Sequence, residues 1–172
     1  MTQSKELLAI IEVIPENFAD PDADFHAVRD MFAPFHGHTT SDELEIEIAN
    51  YGGVRCGSYT LKGADNKYTA FHCHGGAFVS SGLDEYHFYA EIIARQIGCN
   101  VVMPDYRLAP EHPYPAAPDD CLTAYCGLLE QGIDPAGIIL VGESCGGLSR
   151  INILTLPTNH PVNIPSFYVV VN

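Results

Sequence analysis

The ten residues Ile138-Ile139-Leu140-Val141-Gly142-Glu143-Ser144-Cys145-Gly146-Gly147 constrain this chain more than any other stretch. Four branched apolar residues read as a short buried strand. They run directly into Gly-x-Ser-x-Gly, and a segment of helical character follows. A strand that turns sharply into a helix at a serine lifts the hydroxyl out of the sheet, where it can act as a nucleophile. Gly142 and Gly146 flank Ser144 where a Cβ would collide with the tight turn, and glycine also tolerates unusual backbone angles.

The surrounding chain alternates strands and helices. Residues 68–73 read as a deep strand, followed by a helix over 82–97 with Tyr89, Ile92, Ile93 and Ile97 as its inner face and Gly98 as its C-cap. A buried strand covers 100–104. The stretch 109–118 carries Pro110, Pro113, Pro115 and Pro118 and reads as an irregular loop. A helix over 119–131, the serine-bearing turn, a helix over 148–156 and a strand over 167–171 complete the series. Strand–helix–strand repetition of this kind calls for a parallel sheet with helices on both faces. Upstream, Leu44, Ile46 and Ile48 alternate with glutamates as in a half-exposed strand. Residues 54–61 form its hairpin partner across Tyr51-Gly52-Gly53. Residues 5–14 and 23–33 show helical apolar faces. The chain thus divides into N-terminal helices, 1–40, and a core, 41–172.

Composition excludes several classes. The 172 residues suffice for one domain with a real core, and 47% are hydrophobic. No apolar run reaches the roughly 20 residues that cross a bilayer. The N-terminus lacks the charged-then-apolar layout of a secretory signal, so a cytoplasmic location is expected. A net charge of −14, from 22 acidic against 8 Lys and Arg residues, speaks against nucleic acid and anionic membranes as partners. The six cysteines match no zinc spacing and are expected as free, mostly buried thiols. His72 and His74 alternate along a strand with no carboxylate or cysteine at ligand spacing nearby, so neither a metal nor an organic cofactor is expected.

Two further stretches join the serine turn in a fixed order. His74-Gly75-Gly76-Ala77-Phe78 follows the third strand, and Asp105-Tyr106-Arg107-Leu108-Ala109-Pro110-Glu111-His112-Pro113 follows the fourth. With Gly142-Glu143-Ser144-Cys145-Gly146-Gly147 they resemble the α/β-hydrolase fold, in the branch similar to hormone-sensitive lipase and bacterial carboxylesterases. That resemblance implies a carboxylic-ester hydrolase acting through an acyl-enzyme on Ser144, with a small hydrophobic ester as substrate. It implies an oxyanion hole built from the N–H groups of Gly76, Ala77 and Cys145, with Gly75 shaping the turn. Backbone donors aimed at the developing oxyanion stabilise the transition state by several kcal/mol. Ala77 stands for a glycine, Cys145 for an alanine, Glu143 for an aspartate and Leu148 for an asparagine. The family resemblance gives His74 the task of ordering its loop, and makes the N-terminal helices part of a cap. Asp105 and Arg107 are expected in structural ion pairs, and His87 and His112 as surface or loop residues.

In this fold the triad runs serine, acid, histidine. Residues 145–172 contain one histidine, His160, and no Asp or Glu. His160 is expected near the opposite end of the sheet, away from Ser144. The expectation is therefore a core cut short after about the sixth strand, with a poor nucleophile for want of a base. Its apolar last strand would form an exposed edge that invites self-association. Two alternatives stand beside it: a non-catalytic small-molecule binder, and a half-domain completed by a second polypeptide.

Overall fold

The computed structural model describes residues 24–32, 39–65, 67–154 and 167–171. Helix α1 spans Phe25–Phe32, and strands β1 and β2 span Leu44–Tyr51 and Val54–Leu61. There follow β3 Thr69–Cys73, α2 Leu83–Ile97, β4 Asn100–Pro104 and α3 Ala116–Glu130. A 3₁₀ turn at Pro135–Gly137 leads into β5 Ile138–Glu143, then α4 Gly146–Leu154 and β6 Phe167–Val171. The helix expected over 5–14 and the loop carrying His160 lie outside the described residues.

The strands form one sheet in the order β1-β2-β4-β3-β5-β6. The β1–β2 hairpin joins β4 antiparallel, whereas β3 pairs parallel with both β4 and β5, and β5 pairs parallel with β6. This is the mixed sheet of the α/β-hydrolase fold, with its antiparallel pair at the N-terminal edge. β3 lies inside it, and all five of its residues are buried.

Alternation along β3 splits the core into two layers. Ala70 packs with Leu83, Ala90, Ile93 and Ala94 of α2 and with Val101, Met103 and Val141. On the other face Phe71 and Cys73 pack with Cys121, Ala124, Tyr125 and Leu128 of α3, and with Leu140 and Ile153. Burying each large side chain contributes roughly 1.5–3 kcal/mol. All six cysteines are free, four of them buried and Cys126 and Cys145 half-buried. Among the described residues no helix is long and apolar enough to cross a membrane.

Three local expectations are corrected. The inner face of α2 is Leu83, Ala90, Ile93 and Ala94, while Ile92 and Ile97 are 48% and 38% exposed. Ile92 lies two residues from both Ala90 and Ala94, about 200° around a helix, so it faces away from them. Alanines let the helix approach the sheet closely, and a reading weighted to large residues passes over them. Helix α3 begins at Ala116, not Asp119. Pro118 falls in its first turn, where an N–H has no intrahelical partner and proline is tolerated. On β1, Ile46 and Ile48 are 40% and 49% exposed, because the strand sits at the sheet edge.

Candidate active site

The end of β5 delivers the chain to Ser144, which is exposed and adopts φ 51°. A non-glycine residue in this left-handed region costs on the order of 1–3 kcal/mol and persists only where its surroundings over-determine it. The surroundings here are close backbone contacts. A Cβ on Gly146 would stand 2.0 Å from the Cys73 carbonyl oxygen and 2.5 Å from that of His74. A Cβ on Gly142 would stand 2.8 Å from the Gly146 carbonyl oxygen. Both glycines are thus required by close approach. The unusual backbone angle belongs to the serine itself. Helix α4 starts at Gly146, two residues earlier than expected, so only Cys145 separates Ser144 from the helix. The Cys145 N–H lies just before its first turn, where amide protons lack intrahelical partners.

The end of β3 delivers the second half of the site. Gly76 has φ 110°, and a Cβ there would meet the Ser80 carbonyl oxygen at 2.3 Å. Ala77, Phe78 and Ser81 also take positive φ, at 55°, 62° and 74°. Such clustered strain needs many restraints. The Gly76 carbonyl accepts from the N–H groups of Val79 and Ser80, each at 3.0 Å. The Phe78 carbonyl accepts from Ala109 N–H at 2.9 Å, and the Phe78 N–H donates to Cys145 Sγ at 3.3 Å. Gly75 packs against the Glu143 carboxylate, which a Cβ would meet at 2.9 Å.

Aromatic side chains brace this loop. The His74 ring stacks on Tyr106 with centroids 4.0 Å apart and planes 9° apart. Its Nδ1 lies 2.7 Å from the Gly75 carbonyl oxygen, to which it donates. The Tyr106 hydroxyl donates to the His74 carbonyl at 2.8 Å. Tyr86 Oη donates to Glu143 Oε2 at 2.8 Å, tying α2 to the residue before the serine. His72 is stacked on Tyr89. Burial pulls the imidazoles of His72 and His74 down, to about 3 and about 4, so both are neutral at pH 7.

The structure therefore gathers His74, Gly75, Gly142, Glu143 and Gly146, and joins Cys145 to the loop of Gly76 and Ala77. Among the described residues Gly147 has no neighbour within 4 Å of an added Cβ. Asp105 pairs with Arg55, and Arg107 with Asp120 at 2.8 Å, so both hold loops in place. His87 contacts the Tyr59 hydroxyl at 2.9 Å. Among the described residues none hydrogen-bonds to the Ser144 hydroxyl. Beside Phe78 lies a recess of about 220 Å³, lined by Phe78, Ala109, His112, Tyr114, Ala117 and Pro118.

Arg29 of α1 was not singled out in the sequence, yet it is a fastener of this region. Its guanidinium donates to the Val79 carbonyl at 2.6 Å, to the Ala109 carbonyl at 2.9 Å and to both carboxylate oxygens of Glu111. No short sequence spacing signals a contact across 82 positions. The Arg29 hydrogen bonds hold the Glu111 carboxyl down, to about 2 against an ordinary 4.5. Because the folded value lies below the unfolded one, this stabilisation is complete above about 4.5 and is lost as pH falls toward 2. Denaturant midpoints measured across that window should fall more steeply for the parent than for Arg29→Met. Parallel curves would show that the pair contributes nothing.

A serine on a strand-to-helix turn, set against a glycine-rich loop from the neighbouring parallel strand, defines the α/β-hydrolase type of site. A family model described as the alpha/beta hydrolase fold matches residues 70–157. The chain belongs to that family, in its hormone-sensitive-lipase-like branch. It is 36% identical to an esterase of Acinetobacter venetianus over 123 residues, which cover 72% of this chain and 40% of that esterase. It is 32% identical to Homo sapiens hormone-sensitive lipase over 98 residues, 55% of this chain and 9% of that protein. The crystal structure of an esterase from the bacterial hormone-sensitive lipase family superposes with a TM-score of 0.81 at 31% identity, over 99% of this chain and 58% of that one. The chain thus spans about two fifths of the curated esterase's length and under three fifths of the structural relative's.

Proposed function

We propose that this protein is a carboxylic-ester hydrolase in which Ser144 is the nucleophile. The observation that carries the reading is the left-handed Ser144, exposed at the end of β5 beside the strained loop 75–78. Ser144 Oγ attacks the ester carbonyl, and its proton passes to a base. The carbonyl oxygen, now negative, is received by the N–H groups of Gly76, Ala77 and Cys145. Collapse of the tetrahedral species expels the alcohol and leaves an acyl-enzyme, which water hydrolyses. The recess of about 220 Å³ beside Phe78 suits a short apolar group of the ester. Helix α1, held to the loop by Arg29, serves as part of a cap over this region.

The base and its acid partner are not among the described residues near Ser144. His72 and His74 are buried and neutral, with the one stacked on Tyr89 and the other bonded to Gly75. Relatives named esterase, lipase and versiconal hemiacetal acetate esterase support the reaction class. The test is hydrolysis of short p-nitrophenyl esters by the full-length gene product. Turnover lost in Ser144→Ala supports the reading. Saturable binding of a hydrophobic acid without turnover would instead make the protein a binder.

A further inference from the structure

We propose that the side chain of Cys145, acting with the Tyr106 hydroxyl, is a positioning device for the loop that supplies the oxyanion donors. The proposal rests on the ester-hydrolase reading above and concerns a side chain that reading does not use. That reading uses only the backbone N–H of Cys145, whereas its sulfur meets the loop after β3. Phe78 N–H donates to Cys145 Sγ at 3.3 Å. Tyr106 Oη stands 4.0 Å from the same sulfur while donating to the His74 carbonyl at 2.8 Å and lying 3.3 Å from that of Gly75. Cys145 Sγ thus sits between the Phe78 N–H, which donates to it, and the Tyr106 hydroxyl, which donates to the His74 carbonyl.

The mechanical consequence follows from Ala77. Its φ of 55° is unfavourable, and only its two backbone torsions separate the amide plane of its own N–H from that of Phe78. Holding the Phe78 amide on the sulfur therefore restricts the directions open to the Ala77 N–H. An alanine at position 145 offers no acceptor, and Ala77 is then free to relax toward negative φ, turning its N–H away. Burial pushes the Cys145 thiol up, outweighing the opposing pull of the Phe78 and Ala77 N–H groups and the Tyr106 hydroxyl. The sulfur thus stays protonated and places no negative charge beside the oxyanion.

The test uses the full-length gene product with Cys145→Ala, Cys145→Ser and Tyr106→Phe. Serine keeps an acceptor at the same place, and alanine removes it. Two readouts are taken: hydrogen exchange of the Phe78 and Ala77 amides, and kcat and KM for p-nitrophenyl butyrate. In Cys145→Ala the exchange should quicken and kcat fall by roughly three- to tenfold each, the worth of one hydrogen bond to a weak acceptor. KM should stay put, and Cys145→Ser should restore both. Tyr106→Phe should move the amides in the same direction. Unchanged amide exchange in Cys145→Ala would overturn the proposal, as would a serine variant no better than alanine. If the parent shows no turnover, the exchange readout still decides the positioning role, and the missing turnover counts against the ester-hydrolase reading alone.

Discussion

Ser144→Ala is expected to remove ester hydrolysis while leaving the fold intact. Losing the nucleophile of a serine hydrolase costs on the order of 10⁶ in kcat, and the oxyanion donors retain only a residual acceleration. The side chain is exposed, and none of the described residues hydrogen-bonds to it. Alanine carries the same Cβ into the left-handed backbone at φ 51°. Its stability should therefore lie within about 0.5 kcal/mol of the parent, as for other exposed positions without special contacts. The paired measurement is p-nitrophenyl ester turnover with a denaturant melt of both proteins. Equal turnover would remove Ser144 from the chemistry. A collapsed melt would show that the hydroxyl is structural.

The second large effect is expected two residues on. In Gly146→Ala the new methyl carbon would sit 2.0 Å from the Cys73 carbonyl oxygen. The clash is with backbone at the end of β3, an element buried at every position. Neither a rotamer change nor a flexible side chain can relieve it, so β5, α4 or the loop after β3 must move. A cost of roughly 3–5 kcal/mol is expected, at the upper end of single substitutions. That is a large share of a typical domain's stability of about 5–15 kcal/mol. Gly147→Ala is the matched control. It adds the same methyl one residue further into α4, where none of the described residues lies within 4 Å. Alanine is favoured over glycine in a helix by up to about 1 kcal/mol, so this variant should match the parent or exceed it. If the two variants melt together, the close packing of the turn on β3 is not what the geometry states.

Much of the framework was legible because its signals are local. The buried strand running into Gly-x-Ser-x-Gly, the glutamate-alternating β1 and the Gly98 cap each follow from a few adjacent residues. Gly98 takes φ 70° and its N–H caps Ala94. The family's stretches around His74 and Tyr106 then pointed to the α/β-hydrolase fold. What was not legible depends on tertiary approach. The alanines of α2 matter because a helix lies close against a sheet. Arg29 matters because α1 meets two loops far along the chain. Cys145 is the instructive case. Its N–H was legible from its place after Ser144, since any residue there carries one. Its sulfur became meaningful only when the loop after β3 brought the Phe78 N–H within 3.3 Å. Likewise the strain at Ala77, Phe78 and Ser144 appears in backbone angles that no residue type there announces.

A fluorophosphonate tests Ser144 as nucleophile most directly, because it reacts with an activated serine and mimics the tetrahedral oxyanion. The full-length gene product is incubated with the reagent, digested, and the adduct mapped by mass spectrometry. The expected result is a single adduct on Ser144, absent in Ser144→Ala and formed more slowly in Cys145→Ala. An adduct on a different serine, or none under conditions that label a control serine hydrolase, would contradict Ser144 as the nucleophile of this site.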